Sequence, residues 1–332
     1  MPRLAEPPAP ARHGQRPRIA LMHDRMDWHS RQLVAAFDAL GVEAVPARLK
    51  ACGFDTRRPS GLVIDGFDGL PEAVMVRLIT GGSFEAVTVR LGVLHALAAL
   101  GVPVVNQPRA VEFCSDKSAT SFLLARAGIA TPAAWTVQSR REALAIVERE
   151  ASVGPLVLKP LFGSQGKGLQ LVGQVAGVHH ALPAIDAAYE SLAYLQRFVP
   201  ALTSPGFDWR VLVVGGRAVA AMRRVSAHWI HNVAQGASCE PAELTKALAR
   251  LAEDAARALG LDYAGVDLMP SGTAQDIQVI EVNGVAAWQG LQRVTGFNIA
   301  AAIVADLLDR RLAQASASPQ PDRTPWRAAR RA

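Results

Sequence analysis

Residues 264–283 read AGVDLMPSGTAQDIQVIEVN. Two apolar runs, Ala264–Met269 and Ile277–Val282, flank a polar turn at Ser271–Asp276. Short apolar runs on either side of such a turn predict two neighbouring antiparallel strands. This pair indicates an antiparallel sheet in the C-terminal half of the chain.

Two acidic residues and an amide lie on these predicted strands. Asp267 is inside the first, and Glu281 and Asn283 are at the end of the second. Glu281 and Asn283 are two residues apart, so they point to the same face. Carboxylate and amide oxygens suit Mg²⁺ or Mn²⁺, and acids among apolar neighbours are costly unless a positive group faces them. The pattern predicts a metal site, with solvent-facing acids on an edge strand as the alternative.

A glycine-rich turn follows another predicted strand, Leu156–Lys159. It reads Gly163-Ser164-Gln165-Gly166-Lys167-Gly168 and returns as a strand at Leu169–Val172. A lysine at a strand end, close to the backbone N–H groups of a glycine turn, is suited to binding phosphates. The turn is not a Walker sequence, and a plain hairpin is the alternative.

Lys117 lies in the first turn of a helix that we predict to begin at the N-cap Ser115 and to end at Gly128. A lysine there opposes the helix dipole, which indicates a role other than helix stability. An ordinary exposed lysine is the alternative.

A predicted hairpin around Gly215-Gly216 carries several charged residues. Asp208 and Arg210 share one strand face, and Arg223 and Arg224 follow on the return strand. Arginine side chains suit carboxylates and phosphates, and surface ion pairing is the alternative. Asn232 follows in a polar loop without a signal of its own.

The N-terminal part alternates strands with helices, which predicts a parallel sheet. The predicted strands are Arg18–Met22, Leu62–Asp65 and Pro103–Asn106. The predicted helices run from Ser30 to Leu40 and from the cap Ser83 to Gly101. Near the C-terminus, helices are predicted over 241–259 and 298–312.

Composition excludes several classes of protein. Half of the 332 residues are hydrophobic and 19% are charged, as in a globular protein. No 18-residue apolar run occurs, and charged residues interrupt the apolar core that a signal peptide would need, so we expect neither a membrane span nor a signal peptide. The net charge of +6 lies in the two tails, because residues 1–18 and 313–332 each carry +3. Nucleic-acid binding is therefore disfavoured. Three dispersed cysteines exclude a disulfide framework and indicate a reducing compartment, so we expect a cytoplasmic protein.

Taken in order, these motifs resemble the RimK-type branch of the ATP-grasp superfamily over nearly all of residues 17–312. The matching segments are Asn106-Gln107-Pro108, Asp116-Lys117, Val157–Pro160, Gly163–Gly168, Gln196–Val199, Asp208–Gly215, Ala220–Arg224, Ala264–Asp267, Glu281–Asn283, Gly290-Leu291 and Thr295-Gly296.

The resemblance implies an α/β protein, α+β in its C-terminal half, with an ATP-grasp fold. We expect a small parallel α/β domain over 17–110, a central lid subdomain over 111–195 and an antiparallel-sheet subdomain over 196–312. Disordered basic tails are expected over 1–16 and 313–332.

The resemblance also implies roles for residues. Lys117 and Lys159 would contact the phosphates of ATP, and the glycine loop (Gly163, Ser164, Gln165, Gly166 and Gly168) would close over them. Gln196, Arg197, Phe198 and Val199 would hold adenine, with Asp208 near the ribose. Asp267, Glu281 and Asn283 would bind two Mg²⁺ or Mn²⁺ ions. Arg210 and Arg223 would be catalytic and would orient the substrates together with Asn232.

The implied activity is ADP-forming ligation of an amino acid, expected to be glutamate, to a carboxylate through an acyl-phosphate. The chain departs from the family pattern in three places: Arg197 in the adenine segment with two extra residues before Asp208, the Trp229-Ile230-His231 loop, and Gly284–Gly290 without the usual proline-glycine step. The nucleotide and metal parts are kept, so the departures affect acceptor recognition. They favour a small pterin-type acceptor. The alternatives are glutamylation of a protein C-terminus, dipeptide ligation and a non-catalytic ATP-binding switch, and a homo-oligomer is compatible with the resemblance.

Overall fold

The computed structural model describes residues 16–79, 81–185 and 192–312. One unit of the chain runs to Val104 and resumes at Leu307, and the other is Val105–Asp306. Except for Arg16, the tails predicted at 1–16 and 313–332 lie outside the described residues. The domain boundaries predicted at residues 110 and 195 stay predictions. Among the helices that the structure describes, none combines the length and apolar character needed to cross a membrane.

The first unit contains a four-stranded sheet of order β2-β1-β5-β6, in which β1 pairs in parallel with both β2 and β5. This confirms the predicted parallel sheet. A small hairpin, β3-β4, lies outside it. The elements are β1 (Arg18–Met22), α1 (Trp28–Ala39), β2 (Glu43–Ala47), β3 (Gly53–Phe54), β4 (Leu62–Val63), β5 (Ala73–Val76), α2 (Phe84–Ala99) and β6 (Val104–Val105).

One predicted strand of this sheet was misplaced. Leu62–Asp65 was expected in the parallel sheet, but only Leu62 and Val63 are extended, and they pair with β3. On the side of β1 opposite β2, the neighbouring strand is Ala73–Val76, of which every residue is buried. Strands of a parallel sheet are covered on both faces and read as short apolar runs, so the two segments look alike in sequence.

The second unit contains two five-stranded sheets, a lid sheet of order β10-β9-β8-β11-β7 and a C-terminal sheet of order β14-β13-β12-β15-β16. Neighbouring strands in both sheets are antiparallel, which confirms the expected C-terminal architecture. The lid-sheet region consists of α3 (Pro108–Ser115), α4 (Lys117–Arg126), β7 (Ala134–Val137), α5 (Arg140–Glu150), β8 (Leu156–Lys159), β9 (Gln170–Val175), β10 (Val178–His180) and β11 (Ala193–Arg197). The C-terminal region consists of β12 (Gly206–Val214), β13 (Arg217–Ser226), β14 (Ser238–Pro241), α6 (Lys246–Ala258), β15 (Tyr263–Ser271), β16 (Thr273–Asn283), α7 (Gln289–Val294) and α8 (Ile299–Asp306), and a π-helix follows at Leu307–Leu312.

Helix α6 fixes which face of the C-terminal sheet is free for a site. Its buried side chains include Leu248, Ala252 and Ala255, and they share one core with Val211 and Val266 of the sheet. Since side chains alternate along each strand, the neighbouring residues point to the opposite face. That face carries the polar residues described below.

Helix α4 begins one residue later than predicted. Asp116, not Ser115, is its N-cap, and Asp116 Oδ1 accepts hydrogen bonds from Ser118 N at 2.8 Å and Ala119 N at 3.2 Å. This cap sets Lys117 as the first helical residue.

Candidate active site

Strand register brings the predicted acids together. Asp267 of β15 lies directly opposite Glu281 of β16, and Asn283 lies opposite Gly265. On the other side, Asp267 pairs with Arg210 of β12. Residues opposite one another share a face of a sheet, so Arg210, Asp267, Glu281 and Asn283 lie on the face away from α6.

Two arginines surround Asp267, which is only 3% exposed. Arg210 donates from Nε to Oδ1 and from Nη2 to Oδ2, both at 2.7 Å. Arg224 Nη2 lies 3.0 Å from Oδ2. Burial works to raise the pKa of Asp267, but the two guanidinium groups outweigh it and hold the pKa below its ordinary value. Asp267 is therefore an ionised carboxylate.

Arg224 also binds Asp208, and both side chains are buried. Arg224 donates from Nε to Oδ1 at 2.7 Å and from Nη2 to Oδ2 at 2.5 Å. Burial raises the pKa of Asp208 to about 6 although Arg224 acts against it. Burial and Arg224 together lower the pKa of the neighbouring His231 to about 4, so this imidazole is neutral at neutral pH.

The structure does not bring Arg223 together with the other predicted residues. Arg223 pairs with Glu240 at 2.6 Å, both side chains are more than two-fifths exposed, and its guanidinium lies over the Phe207 ring. The cause is a register shift in the hairpin between Leu212 and Val213. An extra residue there moves the partner of Asp208 from Arg223 to Arg224 and exchanges the faces of the two arginines.

Lys117 joins the glycine loop to the acidic residues. Its Nζ donates to Gly163 O at 2.5 Å and to Leu161 O at 3.4 Å. The same Nζ lies 3.6 Å from Glu281 Oε1. The predicted phosphate-binding lysine thus contacts both the loop and the proposed metal ligand.

Lys159 ends β8 and faces the same residues. Its Nζ donates to Gln196 Oε1 at 2.5 Å. Burial lowers the pKa of Lys159 to about 8, with Lys117 acting in the same direction and Glu281 and Asp267 acting against it. A lysine in this state gains from an added anion, which is the electrostatic requirement of a phosphate site.

The segment predicted to hold adenine begins at Gln196, the residue that accepts the hydrogen bond from Lys159. Gln196 and Val199 are buried, and Phe198 makes an edge-to-face contact with Trp229 at 5.8 Å between ring centroids. The Arg197 side chain, in contrast, is used within the lid, where its Nη2 donates to Glu150 Oε2 at 2.5 Å.

Asn232 contacts the glycine loop. A Cβ added to Gly166 would lie 2.6 Å from Asn232 Oδ1 and 2.7 Å from Ile230 Cγ2, and Gly166 has a φ of +71°. Gln235 Nε2 also donates to Gln165 O at 3.1 Å. The loop over 230–235 is therefore the surface on which the glycine loop rests.

Asn106 holds the backbone beneath the acids, a role that the sequence did not predict. Its Nδ2 donates to Tyr263 O at 2.8 Å and to Gly284 O at 2.5 Å. Its Oδ1 accepts from Asp262 N at 2.6 Å and from Tyr263 N at 3.0 Å. These bonds tie the start of β15 to the end of β16, next to Asn283. The contacts span about 150 residues or more, so local patterns carry no signal for them.

The oxygen donors fit a divalent cation. In the described part of the chain, no group of three His, Cys, Asp or Glu side chains is placed to hold a metal ion. Asp267, Glu281 and Asn283 supply two carboxylates and an amide, a set that Mg²⁺ completes with phosphate oxygens and water. Asp267 Oδ1 accepts one bond from Arg210 and keeps a second lone pair.

Comparisons with known proteins identify the family to which the chain is similar. The family model described as RimK-like ATP-grasp domain matches residues 114–307. The tetrahydromethanopterin:alpha-L-glutamate ligase of Methanosarcina acetivorans is 31% identical over 309 residues, which cover 83% of this chain and 93% of that protein. The corresponding ligase of Methanococcus maripaludis is 35% identical over 210 residues, which cover 63% of this chain and 70% of that protein.

A solved structure has the same fold. The ATP-grasp ligase PsnB, complexed with a phosphomimetic variant of minimal precursor, Mg and ADP, superposes with a TM-score of 0.64 and 19% identity. The match covers 88% of this chain and 97% of that chain. It supports the ATP-grasp architecture alone.

Proposed function

The chain belongs to the RimK-like ATP-grasp family of ligases, and from this premise we propose that it joins glutamate to a carboxylate of a small pterin-type acceptor, with conversion of ATP to ADP. The acceptor carboxylate would attack the γ-phosphorus of ATP and form an acyl-phosphate. The amine of glutamate would then attack the carbonyl carbon, and phosphate would leave as the amide forms.

The observation that carries this proposal is that two lysines lie close to two carboxylates. Lys117 and Lys159 come from the lid region and face Asp267 and Glu281 of the C-terminal sheet. The lysines would hold the phosphates of ATP, while Asp267, Glu281 and Asn283 would hold two Mg²⁺ or Mn²⁺ ions. When bound, such ions supply charge neutralisation at the transferring phosphoryl group.

The arginines on the site face would stabilise the transition state. Arg210 and Arg224 are fixed by Asp267, and Arg224 also by Asp208. Pre-oriented guanidinium groups stabilise developing negative charge without reorganisation. We therefore assign to Arg224 the role that the resemblance suggested for Arg223, and keep Arg210 as its partner.

The glycine loop would protect the acyl-phosphate from water. It rests on the Asn232 loop through Gly166 and is held by Lys117 through Gly163 O. When the glycine loop closes over ATP, the loop and Asn232 would together enclose the acceptor.

A flat acceptor is supported by a shallow cavity of about 480 Å³ that is open to solvent and lies next to the glycine loop. Trp229 lines the cavity and is braced edge-on by Phe198, so its ring could stack on a planar heterocycle. The other lining residues are Leu169, Gln170, Leu171, His179, His180 and Ala181. The names of the archaeal relatives point to the same chemical class.

The proposal is tested by ADP release from purified protein with Mg-ATP. L-Glutamate and a panel of amino acids are supplied with a tetrahydropterin carboxylate, with a peptide ending in glutamate, or alone. We expect ADP and a glutamylated pterin, identified by mass spectrometry, only when glutamate and the pterin are both present. Turnover with the peptide alone would favour protein glutamylation, and ADP with two amino acids would favour dipeptide ligation. ATP binding without turnover in any mixture would favour the alternative of a non-catalytic ATP-binding switch.

A further inference from the structure

The sheet of the first unit reverses its strand order between β1 and β5. The chain runs outward from β1 to β2 and then returns to β5 on the other side of β1. In open parallel sheets, ligands bind in the crevice at the carboxyl ends of the two strands where this reversal occurs. His23 follows β1 and Arg77 follows β5 at this position, and Arg77 N donates to Met22 O at 2.9 Å.

Both side chains point to the face that α1 covers. Met22 and Val76 belong to the core under α2, so the next residues, His23 and Arg77, lie on the other face. Right-handed crossovers in opposite directions place α1 and α2 on opposite faces of the sheet. The first turn of α1 buries Ser30 on that face.

Two of these buried side chains have polar atoms that no described residue satisfies. His23 is 8% exposed and Ser30 is 1% exposed. In the part of the chain that the structure describes, neither ring nitrogen of His23 forms a hydrogen bond. Ser30 Oγ has no partner at hydrogen-bond geometry, although its hydroxyl is close enough to Asp27 to help lower the pKa of that carboxyl. Buried polar atoms without partners cost stability, and each one requires an explanation.

Charges of both signs border these atoms. Asp27 caps α1 by accepting from Ser30 N at 2.7 Å and lies 3.2 Å from His29 Nδ1. Burial works to raise the pKa of Asp27, but hydrogen bonds from Ser30 and His29 and the charge of Arg77 lower it. Burial and Arg77 lower the pKa of His29, so its ring is neutral at neutral pH. The cluster therefore presents a carboxylate, a guanidinium and neutral donors and acceptors.

We propose that His23, Asp27, Ser30 and Arg77 form a binding site for a free α-amino acid. Arg77, the Ser30 hydroxyl and the N-terminus of α1 suit the α-carboxylate. Asp27 and the acceptor nitrogen of His23 suit the ammonium group. The choice of glutamate as the ligand rests on the proposed function, in which an amino acid is the nucleophile.

The test is calorimetric titration of the full chain with L-glutamate at saturating Mg–AMP-PNP. Glutarate, which lacks the ammonium group, is the matched ligand. We expect glutamate to bind and glutarate not to bind. Ser30→Ala should weaken glutamate binding by about tenfold or more, the effect of losing one hydrogen bond to a charged group. The same variant should change the thermal midpoint little, because the hydroxyl has no partner at hydrogen-bond geometry.

His23→Gln should weaken glutamate binding in the same way, and His95→Gln, at an exposed position on α2, is the control. The proposed site would be refuted if neither Ser30→Ala nor His23→Gln changed the affinity for glutamate. It would also be refuted if the wild-type protein bound glutarate as tightly as glutamate. If ligation proceeds and the KM for glutamate is unaltered in these variants, the site fails while the proposed function stands. If glutamate binds as described and no acceptor is ever ligated, the site stands and the proposed function fails.

Discussion

The charge of Lys159 makes ATP binding depend on pH. Burial lowers the pKa of this lysine to about 8 in the protein without nucleotide. The phosphates of ATP would add several negative charges next to Nζ and return the pKa to at least its ordinary value, about 10.4. Lys159 is then protonated in the complex at all moderate pH values, while the free protein loses this proton as the pH rises through 8.

The size of the effect follows from linkage. Below pH 7, Lys159 is protonated both in the free protein and in the ATP complex, so its ionisation does not change the affinity for ATP. Above pH 8 each pH unit weakens ATP binding by up to tenfold, so affinity at pH 9 should be about tenfold below that at pH 7. At pH 8, close to the pKa of the free lysine, binding should take up about half a proton. Phosphate groups titrate near pH 6 and do not contribute in this window.

Calorimetry with Mg–AMP-PNP at pH 8 in two buffers of different ionisation enthalpy measures the proton uptake directly. A pH series from 7 to 9 gives the affinity slope. Lys159→Arg, which stays charged throughout, should bind with a flat profile over this range. Affinity of the wild-type protein that is constant from pH 7 to 9, with no proton uptake, would refute the assignment of Lys159 to the phosphates.

Three substitutions test the remaining geometry. Asn106→Ala should lower the free energy of unfolding by about 4 kcal/mol, since it leaves buried backbone groups without partners, and urea denaturation measures this. Arg224→Met should cost about 3–5 kcal/mol, because two buried carboxylates lose their shared partner, and should abolish turnover. Gly166→Ala should lower kcat/KM by about tenfold, because its Cβ would meet Asn232 and hinder closure of the loop.

Two of these substitutions, Arg224→Met and Gly166→Ala, have a matched control in the chain. Arg223→Met removes an exposed pair with Glu240 and should change stability by about 1 kcal/mol or less and leave turnover intact. Gly177→Ala imposes the same positive φ strain as Gly166→Ala without any contact, and should leave kcat/KM unchanged. Equal effects of Arg223→Met and Arg224→Met would contradict the assignment of the two faces.

The sequence predicted the local elements that carry the candidate residues better than the pairing between those elements. The strand pair at 264–283 was predicted, with Glu281 and Asn283 on one face, because alternation along a strand is a local rule; that Asp267 shares this face follows from the strand register in the structure. Lys117 was found at the start of its helix for the same reason. In both cases the chemistry depends on residues that are close in sequence.

Errors arose where distant or irregular pairing decides the structure. The register shift in β12–β13 exchanged Arg223 for Arg224, and alternation alone does not reveal such a shift. The clamp made by Asn106 joins segments far apart in the chain. The strand at 73–76 was missed because 62–65 offers an apolar run of equal quality. These features require tertiary information.

The central claim, amide formation through an acyl-phosphate, is tested most directly by isotope transfer. The pterin acceptor is prepared with oxygen-18 in its carboxylate and incubated with the protein, Mg-ATP and L-glutamate. If the acceptor carboxylate attacks the γ-phosphorus, one labelled oxygen is carried into inorganic phosphate for each amide formed. An amide product accompanied by unlabelled phosphate would contradict the account.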